Sequence, residues 1–231
     1  MFGIKTALIN LYNYGSSRKF SNDWQIERLM RHFQADERGH QASIEKADLG
    51  YGWIHYGLIR QQKPKRLLCI GSRHGFIPAV MAQACKDSGV GKVDFVDAGY
   101  GSEDTNHWTG EAYWKSEKGL QCFQKFGLGK YIKTFVQTTK NFAKQQSKKN
   151  YSYDYIYVDG DHSYQGVKLD YQLFWPKLRK NGLMLFHDAS VLGKLAEGEY
   201  GVHSFFTEIK RNKPHLIINF PISGLGILQK E

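Results

Sequence analysis

Short apolar runs alternate with helix-like segments along the chain from Pro64 onward, and this alternation limits the possible folds more than any other feature of the sequence. Apolar runs that end at a glycine or a carboxylate are typical of strands buried on both faces of a parallel sheet. Strands are predicted at Arg66–Ile70, Lys92–Asp97, Tyr131–Val136, Tyr153–Val158, Gly182–Phe186, His215–Phe220 and Gly224–Gln229. Strands that alternate with helices favour βαβ units, with helices on both faces of the sheet.

The last two predicted strands are separated only by Pro221, Ile222 and Ser223. A crossover between parallel strands needs about a dozen residues or more, so this pair must form an antiparallel hairpin. The sequence therefore predicts an α/β fold whose mostly parallel sheet ends in one antiparallel C-terminal hairpin. A simple dinucleotide-binding domain does not usually end in this way.

Residues 1–62 are interpreted as a helical N-terminal lead-in packed on the core, and residues 63–231 as the main domain. In the lead-in, Ser21-Asn22-Asp23 is a favourable helix start, and a second helix is predicted over Ser43–Gln62. Further helices are predicted at Pro78–Lys86, Trp114–Phe126, Tyr164–Leu178 and Phe205–Lys210.

The composition of the chain limits the classes of protein to which it can belong. No apolar run approaches the ~18 residues that cross a bilayer, and no signal peptide is evident, so a cytoplasmic protein is expected. The three cysteines are irregularly spaced and form no CxxC motif, which excludes the usual zinc and disulfide patterns. The formal charge of +10 comes from short basic clusters, which favour a solvated basic surface but leave RNA binding as an alternative.

Ligands of open α/β sheets bind outside the carboxyl ends of the strands, so the polar residues at those ends are the candidates. The first predicted strand is followed by the GxxxG loop Gly71–Gly75, which either approaches a ligand closely or forms a structural turn. The second strand ends at Asp97, which is positioned either to bind a ribose or to cap a turn.

Carboxylates and imidazoles follow the next two parallel strands. Asp159-Gly160-Asp161-His162-Ser163-Tyr164 follows the fourth strand, and His187-Asp188 follows the fifth. Such a cluster usually marks a ligand, a metal or acid–base chemistry, although Asp161 or Ser163 also suits a helix cap. Asp159, His187 and Asp188 are expected to converge, which makes them a candidate metal site for Mg²⁺, Ca²⁺ or a softer ion.

A long loop between Gly99 and Trp114 is rich in glycine and aromatic residues. Long loops of this kind are commonly lids or binding loops. Trp108, Tyr113 and Trp114 are therefore expected either to form a wall for a substrate or an adenine, or to be buried against the sheet.

The segment 153–188, YDYIYVDGDHSYQGVKLDYQLFWPKLRKNGLMLFHD, resembles the class I S-adenosylmethionine-dependent methyltransferases, and in particular their methyltransferase-24 branch. The similarity extends more weakly from about residue 43 to the end of the chain. It is carried there by LLCIGSRHG, VDFVD, YGVHSFF and GLGIL. The resemblance implies a Rossmann-like seven-stranded sheet with a reversed last strand.

The resemblance also implies S-adenosylmethionine as methyl donor, and it assigns site residues. The implied cofactor-binding residues are Gly71, Ser72, Arg73, Gly75, Asp97, Ala98, Asp159 and His162. The implied catalytic residues are Asp159, His162, His187 and Asp188. Related metal-dependent enzymes hold Mg²⁺ with acids after the fourth and fifth strands, which match Asp159 and Asp188 here. One position departs from the family pattern, because Cys69 stands where an acidic residue usually helps to hold the cofactor.

The leading hypothesis is methylation of a hydroxyl of a small molecule, such as a sugar or a secondary metabolite. Deprotonation of the hydroxyl needs a base such as His162 or His187, or a metal that lowers its pKa. Two alternatives stay open: an RNA methyltransferase, suggested by the basic charge, and a non-catalytic cofactor-binding homologue, suggested by Cys69. The sequence predicts no membrane partner and leaves the oligomeric state open.

Overall fold

A computed structural model describes residues 23–101, 112–147, 151–195, 198–219 and 222–231. Its helices are α1 Asp23–His32, α2 Tyr51–Gln62, α3 Phe76–Ser88, α4 Glu117–Lys125, α5 Thr139–Ser147, α6 Tyr164–Phe174 and α7 Val202–Ile209. Its strands are β1 Arg66–Ile70, β2 Lys92–Asp97, β3 Ile132–Val136, β4 Tyr153–Val158, β5 Leu178–His187, β6 Lys194–Leu195, β7 Gly198–Glu199, β8 His215–Ile218 and β9 Leu225–Gln229. Two short 3-10 turns, Tyr113–Lys115 and Trp175–Lys177, precede α4 and β5.

Seven of the strands form one sheet in the order β3-β2-β1-β4-β5-β9-β8. Strands β1 to β5 pair in parallel, whereas β9 is antiparallel to both of its neighbours, β5 and β8. The predicted fold class is confirmed, including the antiparallel hairpin at the end of the chain. Strands β6 and β7 form a separate two-stranded ribbon.

Successive side chains of each strand point to opposite sides of the sheet. Both faces are therefore apolar, and helices pack on both. On one face, Cys69 of β1 belongs to the same buried cluster as Ile59 of α2 and Val80 of α3. On the other face, Ile70 belongs to a cluster with Phe174 of α6 and Phe206 of α7. An apolar layer therefore packs on each face of the sheet, and together they fix the position of its carboxyl edge, where the polar residues lie.

The described part of the lead-in, from residue 23, packs on the first of these faces. Met30 and Phe33 are fully buried there, together with Ile59 of α2. The division of the chain at residues 62 and 63 stays a prediction. Among the described residues, no helix is both long and apolar enough to cross a membrane.

The prediction of one helix over Ser43–Gln62 is wrong in its first half. Ser43 and Asp48 instead form an isolated antiparallel bridge, and α2 begins only at Tyr51. Two residues before it adopt left-handed backbone, Ala47 with φ 50° and Gly50 with φ 54°. A helix cannot continue through such residues, and the apolar spacing in this segment serves a turn that folds back over the sheet edge.

Helix α5 was not predicted from the sequence. Its residues are mostly polar, and only Phe142, Ala143 and Gln146 are buried. With so few apolar residues, the sequence of this helix shows little of the apolar periodicity from which a helix is predicted. Strand β5 begins at Leu178 rather than at the predicted Gly182. The helix predicted over Tyr164–Leu178 ends four residues earlier, at Phe174.

Candidate active site

One cleft of about 430 Å³ lies at the carboxyl edge of the sheet, between the loops that follow β1, β2, β3 and β4. Ile70 and Val96, near the ends of β1 and β2, line its floor. Asp97, Asp159 and His187 line the same cavity. Because ligands of open α/β sheets bind outside the carboxyl ends of the strands, this cleft is the candidate active site.

The glycine loop after β1 is shaped by close contact with the loop after β4. Gly71 has φ +75°, and a Cβ atom at this position would lie 2.2 Å from the carbonyl oxygen of Asp159. Only glycine fits, because any side chain would meet backbone atoms. Ser72 accepts a hydrogen bond from the Gly75 amide at 3.1 Å, which completes the turn into α3. The loop is therefore both a structural turn and an open wall of the cleft, where Arg73 is exposed.

Asp97 joins the loops after β1 and β2. Its two carboxylate oxygens accept backbone hydrogen bonds, from Ser72 at 3.2 Å and from Gly99 at 2.8 Å. Burial raises the pKa of Asp97 to about 6, although both hydrogen bonds favour the ionised form. Ala98 lines the cleft beside it. The turn-capping role is thus present, and Asp97 also lines the cleft.

The residues after β4 and β5 come together in one buried cluster. His162 Nδ1 lies 2.9 Å from Asp188 Oδ2, and His162 Nε2 lies 3.4 Å from Asp159 Oδ1. His187 Nδ1 lies 3.1 Å from Asp159 Oδ1 and 3.3 Å from Asp188 Oδ1. The predicted convergence of Asp159, His187 and Asp188 is therefore observed, and His162 lies at its centre.

The far side of this cluster is formed by the segment between α1 and α2. The other ring nitrogen of His187, Nε2, lies 2.9 Å from the carbonyl oxygen of Gly39. The His40 ring stacks on the His187 ring with centroids 4.8 Å apart, and His40 Nε2 lies 3.8 Å from Asp159 Oδ2. Sequence reasoning missed His40, because a single histidine in an irregular segment carries no pattern.

Electrostatic attraction between the carboxyl groups and the imidazoles of the cluster shifts their pKa values. Burial alone would raise the pKa of Asp159 and Asp188, but the neighbouring imidazoles hold the pKa of each carboxyl below its usual range. Burial likewise opposes the charge on His162, but the two carboxylates raise its pKa to about 9. The same two acids raise the pKa of His187 well above its ordinary value. Each contact between a carboxyl and an imidazole therefore favours the charged form of both partners.

The aromatic residues before α4 support the site from outside. Trp114 is buried, stacks on Phe123, and donates from Nε1 to the carbonyl oxygen of Ser72 at 2.8 Å. The expectation of burial against the sheet thus describes Trp114, which also lines the cleft together with Tyr113. Trp108 lies outside the described residues.

Cys69 is fully buried in β1, with Sγ 3.6 Å from the carbonyl oxygen of Gly71. Burial raises the pKa of the Cys69 thiol well above its ordinary value, so the thiol is neutral. A negative charge is therefore missing where the family usually has one. Asp36 contributes a carboxyl group to the lining of the same cleft.

The family model of a methyltransferase domain, Methyltransf_24, matches residues 68–189, from β1 to the end of the Asp188 loop. The chain belongs to this family. The match includes every residue of the acid–imidazole cluster except His40.

The sequence similarity of this chain to a curated relative is low. "Uncharacterized protein y4gI" of Sinorhizobium fredii is 29% identical over 183 residues, which are 76% of this chain. The chain spans only 19% of the length of that relative.

Solved structures share the fold of this chain at low identity. An O-methyltransferase from Bacillus cereus in complex with SAH is 15% identical, with a TM-score of 0.62 over 94% of this chain and 96% of that chain. The O-methyltransferase TomG of Streptomyces achromogenes, in complex with SAM, is 13% identical, with a TM-score of 0.62 over 94% of this chain and 95% of that chain.

Proposed function

We propose that this methyltransferase transfers the methyl group of S-adenosylmethionine to a hydroxyl of a small molecule, such as a sugar or a secondary metabolite. The observation that carries the proposal is a single cleft lined by Asp97 and by Asp159, His162 and His187 of the buried acid–imidazole cluster. The bound SAH and SAM of the two similar O-methyltransferases support the donor and the reaction type.

The donor would lie along the carboxyl edge of the sheet. In this arrangement its methionine part follows the Gly71–Gly75 loop, its ribose hydroxyls donate to Asp97, and its methyl group lies towards Asp159 and His162. The close contact between Gly71 and the backbone of the loop after β4 supports this placement of the methionine part. At this contact, backbone groups rather than side chains face the cleft. Cys69 supplies no charge to the amino group of the donor, so Asp36 is the acid available at that end of the cleft.

Methyl transfer needs alignment more than activation, because the sulfonium methyl group is already electrophilic. A C–O bond forms as the C–S bond breaks, and the acceptor hydroxyl loses its proton. At neutral pH neither His162 nor His187 is a ready base, since their raised pKa values keep both rings protonated. The unprotonated groups of the cluster are the carboxylates of Asp159 and Asp188, so one of them, or a water molecule, would take the hydroxyl proton as the C–O bond forms.

A metal ion is the second way to stabilise the alkoxide, and the residues fit one. Asp159, His162 and His187 each offer a ligand atom, and these atoms lie within 4.8 Å of one another. His187 Nδ1 is buried and makes no well-aligned hydrogen bond within the described residues, although two carboxylates lie near it. An ion here would act as a Lewis acid on the acceptor oxygen.

The outer contacts of both imidazoles are those of metal-bound histidines. Asp188 Oδ2 lies 2.9 Å from Nδ1 of His162, and the Gly39 carbonyl oxygen lies 2.9 Å from Nε2 of His187. Such outer partners fix the ring and its tautomer. We therefore propose a modified ligand set, in which His162 joins Asp159 and His187 while Asp188 orients His162. Two imidazoles favour Mn²⁺, Fe²⁺, Co²⁺ or Zn²⁺ over Mg²⁺.

Calorimetry with SAH, followed by transfer of radioactive methyl from S-adenosylmethionine to a panel of hydroxylated small molecules, tests the proposed function. Micromolar SAH binding and labelling of at least one hydroxylated acceptor are expected. Failure of SAH to bind at millimolar concentration contradicts the proposal. Binding without turnover on any acceptor points instead to the non-catalytic homologue suggested by Cys69.

A further inference from the structure

Basic and acidic residues lie at opposite edges of the sheet. At the amino edge, six connections lead from a helix to the next strand, and none of them contains an aspartate or a glutamate: residues 63–65, 89–91, 126–131, 148–152, 175–177 and 210–214. The described part of these connections, with the first three residues of the strands that follow, carries six exposed lysines. These lysines define the amino-edge surface: Lys63, Lys65, Lys92, Lys130, Lys133 and Lys180.

The carboxyl edge has the opposite character. Five aspartates line the cleft there, including Asp159 and the buried Asp170 of α6, against one arginine and one lysine. Strand β4 has six residues, so it separates the two edges by about 20 Å. The molecule therefore has a positive end and a negative end, and the candidate active site lies at the negative end.

The fold itself does not account for the six lysines. A helix C-terminus favours a cation in its last turn, but all six lie beyond the last residue of the preceding helix. Arg179, at the same edge, pairs with Asp154 over 2.9 Å. Within the described residues, by contrast, no carboxylate lies in ion-pair contact with any of the six lysines. Uncompensated like charges repel one another, so this surface is suited to an anion outside the protein.

The arrangement of the six lysines fits an extended anionic layer. They lie at the starts of β3, β2, β1 and β5, with β4 between the last two. Neighbouring strands are about 4.8 Å apart, so the charges spread over about 20 Å and do not converge on one point. An ammonium group is a mobile point charge, whereas bidentate recognition of a single phosphate is typical of arginine. A layer of lipid headgroups is complementary to such a surface.

A nucleic acid is less suited to this edge. Single strands bind where aromatic rings at the surface stack on the bases. The partly exposed rings of these connections are engaged within the protein. The Arg66 guanidinium lies 3.5 Å from the centroid of Tyr151, Trp175 stacks on a neighbouring tyrosine, and Phe126 and Tyr131 pack against the core. The edge therefore offers charge rather than stacking partners.

We propose that the amino-edge surface binds the face of a lipid membrane that carries acidic phospholipids. Lysines next to such a face each strengthen binding, and the attraction falls off within a Debye length. The acidic carboxyl edge is repelled by the same lipids, so the protein binds in one orientation and the cleft stays open to the aqueous phase. Attachment of this kind needs no membrane-spanning helix, whereas the expectation of no membrane partner rested on apolar runs.

Cosedimentation with vesicles tests the proposal. At about 100 mM salt, the protein should bind phosphatidylcholine vesicles that contain about 30% phosphatidylserine at least tenfold more tightly than vesicles of phosphatidylcholine alone. About 500 mM salt should abolish this preference, because it shortens the Debye length to about 4 Å. A variant that combines Lys65→Gln, Lys92→Gln and Lys130→Gln should bind the anionic vesicles about tenfold more weakly, or weaker still.

The matched control combines Lys46→Gln, Lys118→Gln and Lys168→Gln, which change the net charge equally but lie outside the amino-edge surface and the cleft. This control should bind anionic vesicles as the wild-type protein does. Equal weakening in both variants, equal binding of the wild-type protein to neutral vesicles, or no vesicle binding would each overturn the proposal. Binding of single-stranded RNA through the same lysines, without binding of vesicles, would overturn it as well.

SAH affinity and circular dichroism should be unchanged in both variants, because none of the six substitutions touches the cleft or the core. A loss of vesicle binding in a variant that keeps both properties reflects the surface and not the fold. Failure of the wild-type protein to bind vesicles while it binds SAH leaves the proposed function intact.

Discussion

The imidazole of His187 contacts the backbone carbonyl of Gly39, 148 positions earlier in the chain, over 2.9 Å. Because a carbonyl only accepts, Nε2 must carry the proton, and Nδ1 must face Asp159 and Asp188. The ring orientation is therefore fixed from outside the sheet. The first prediction depends on this geometry.

The metal site should bind a transition ion more tightly than Mg²⁺. Calorimetry of the protein prepared in chelator should show tighter binding of Mn²⁺ than of Mg²⁺, and His162→Gln or His187→Gln should remove it. Asp188→Asn should weaken binding by about 10–100-fold, the usual effect of an outer partner. His215→Gln, an exposed histidine, is the control. Equal affinity for Mg²⁺ and Mn²⁺, or unchanged binding in His162→Gln, would show that the proposed ligand set is wrong.

Gly71→Ala should destabilise the protein more than Gly89→Ala. Both glycines have positive φ, +75° and +67°, but a Cβ atom at Gly89 meets nothing within 4 Å, whereas one at Gly71 meets Asp159 backbone. The left-handed conformation alone should cost roughly 1–2 kcal/mol in each variant. The excess loss in Gly71→Ala, measured by calorimetric unfolding, reports the clash between the two loops. Equal losses would mean that the loop after β4 moves aside freely.

SAH affinity should fall as the pH decreases below about 6, the pKa to which burial raises Asp97. The ribose hydroxyls donate to the ionised carboxylate, so binding requires deprotonation, and protonation of the free protein competes with it. Affinity should lose up to about tenfold per pH unit in that range. Asp97→Ala should weaken binding by about 1–3 kcal/mol at pH 8, the cost of leaving hydrogen-bonding groups unpaired. A pH-independent affinity in the wild-type protein would remove the ribose assignment.

The free energy of unfolding should contain a contribution from Asp170 that decreases as the pH rises. The pKa of Asp170 is raised from 3.8 to about 7 in the folded protein. The folded state therefore holds this proton more tightly, and the stability it gives is complete below pH 3.8 and lost as the pH approaches 7. The full change should be roughly 3–5 kcal/mol. Asp170→Asn should lack this dependence in urea unfolding between pH 4 and pH 8, and an identical pH dependence in both proteins would contradict the burial of an ionising group there.

RNA methylation, the alternative suggested by the net charge of +10, predicts a clear ionic-strength effect. An RNA substrate held by several phosphate contacts should bind orders of magnitude more weakly at 200 mM than at 50 mM salt. For the small-molecule methyltransferase proposed here, we expect at most weak, sequence-independent RNA binding. Steeply salt-dependent binding combined with methyl transfer to RNA would favour the alternative.

The sheet could be predicted from the sequence because buried parallel strands are continuous apolar runs, and β1, β2 and β4 begin and end at the residues that were expected. The antiparallel pairing of β8 and β9 followed from the length of their connection alone. Helix α5 and the turn over Ser43–Asp48 could not be predicted, because tertiary contacts rather than periodicity determine them. Packing against distant parts of the chain determines the secondary structure of such segments, and it often overrides their local propensity.

The candidate site was predicted in part for the same reason. Asp97, Asp159 and His187 follow strands, so topology alone brings them to one edge. His40 comes from an irregular turn, and Asp170 lies on a helix, where its spacing fits an ordinary polar position. Neither residue could be assigned until the fold placed it against the cleft.

The turn that carries Gly39 and His40 lies outside residues 68–189, the part of the chain that the family model matches. It is attached to the C-terminal hairpin through Tyr51, whose hydroxyl lies 3.0 Å from Ser223 Oγ and accepts from the Gly224 amide at 2.9 Å. If this turn contacts the acceptor, as its place beside His187 suggests, donor binding and acceptor choice are encoded in different stretches of the gene. Exchanging residues 39–51 between relatives, which leaves Asp36 in place, should alter which acceptor is methylated while the affinity for the donor stays the same.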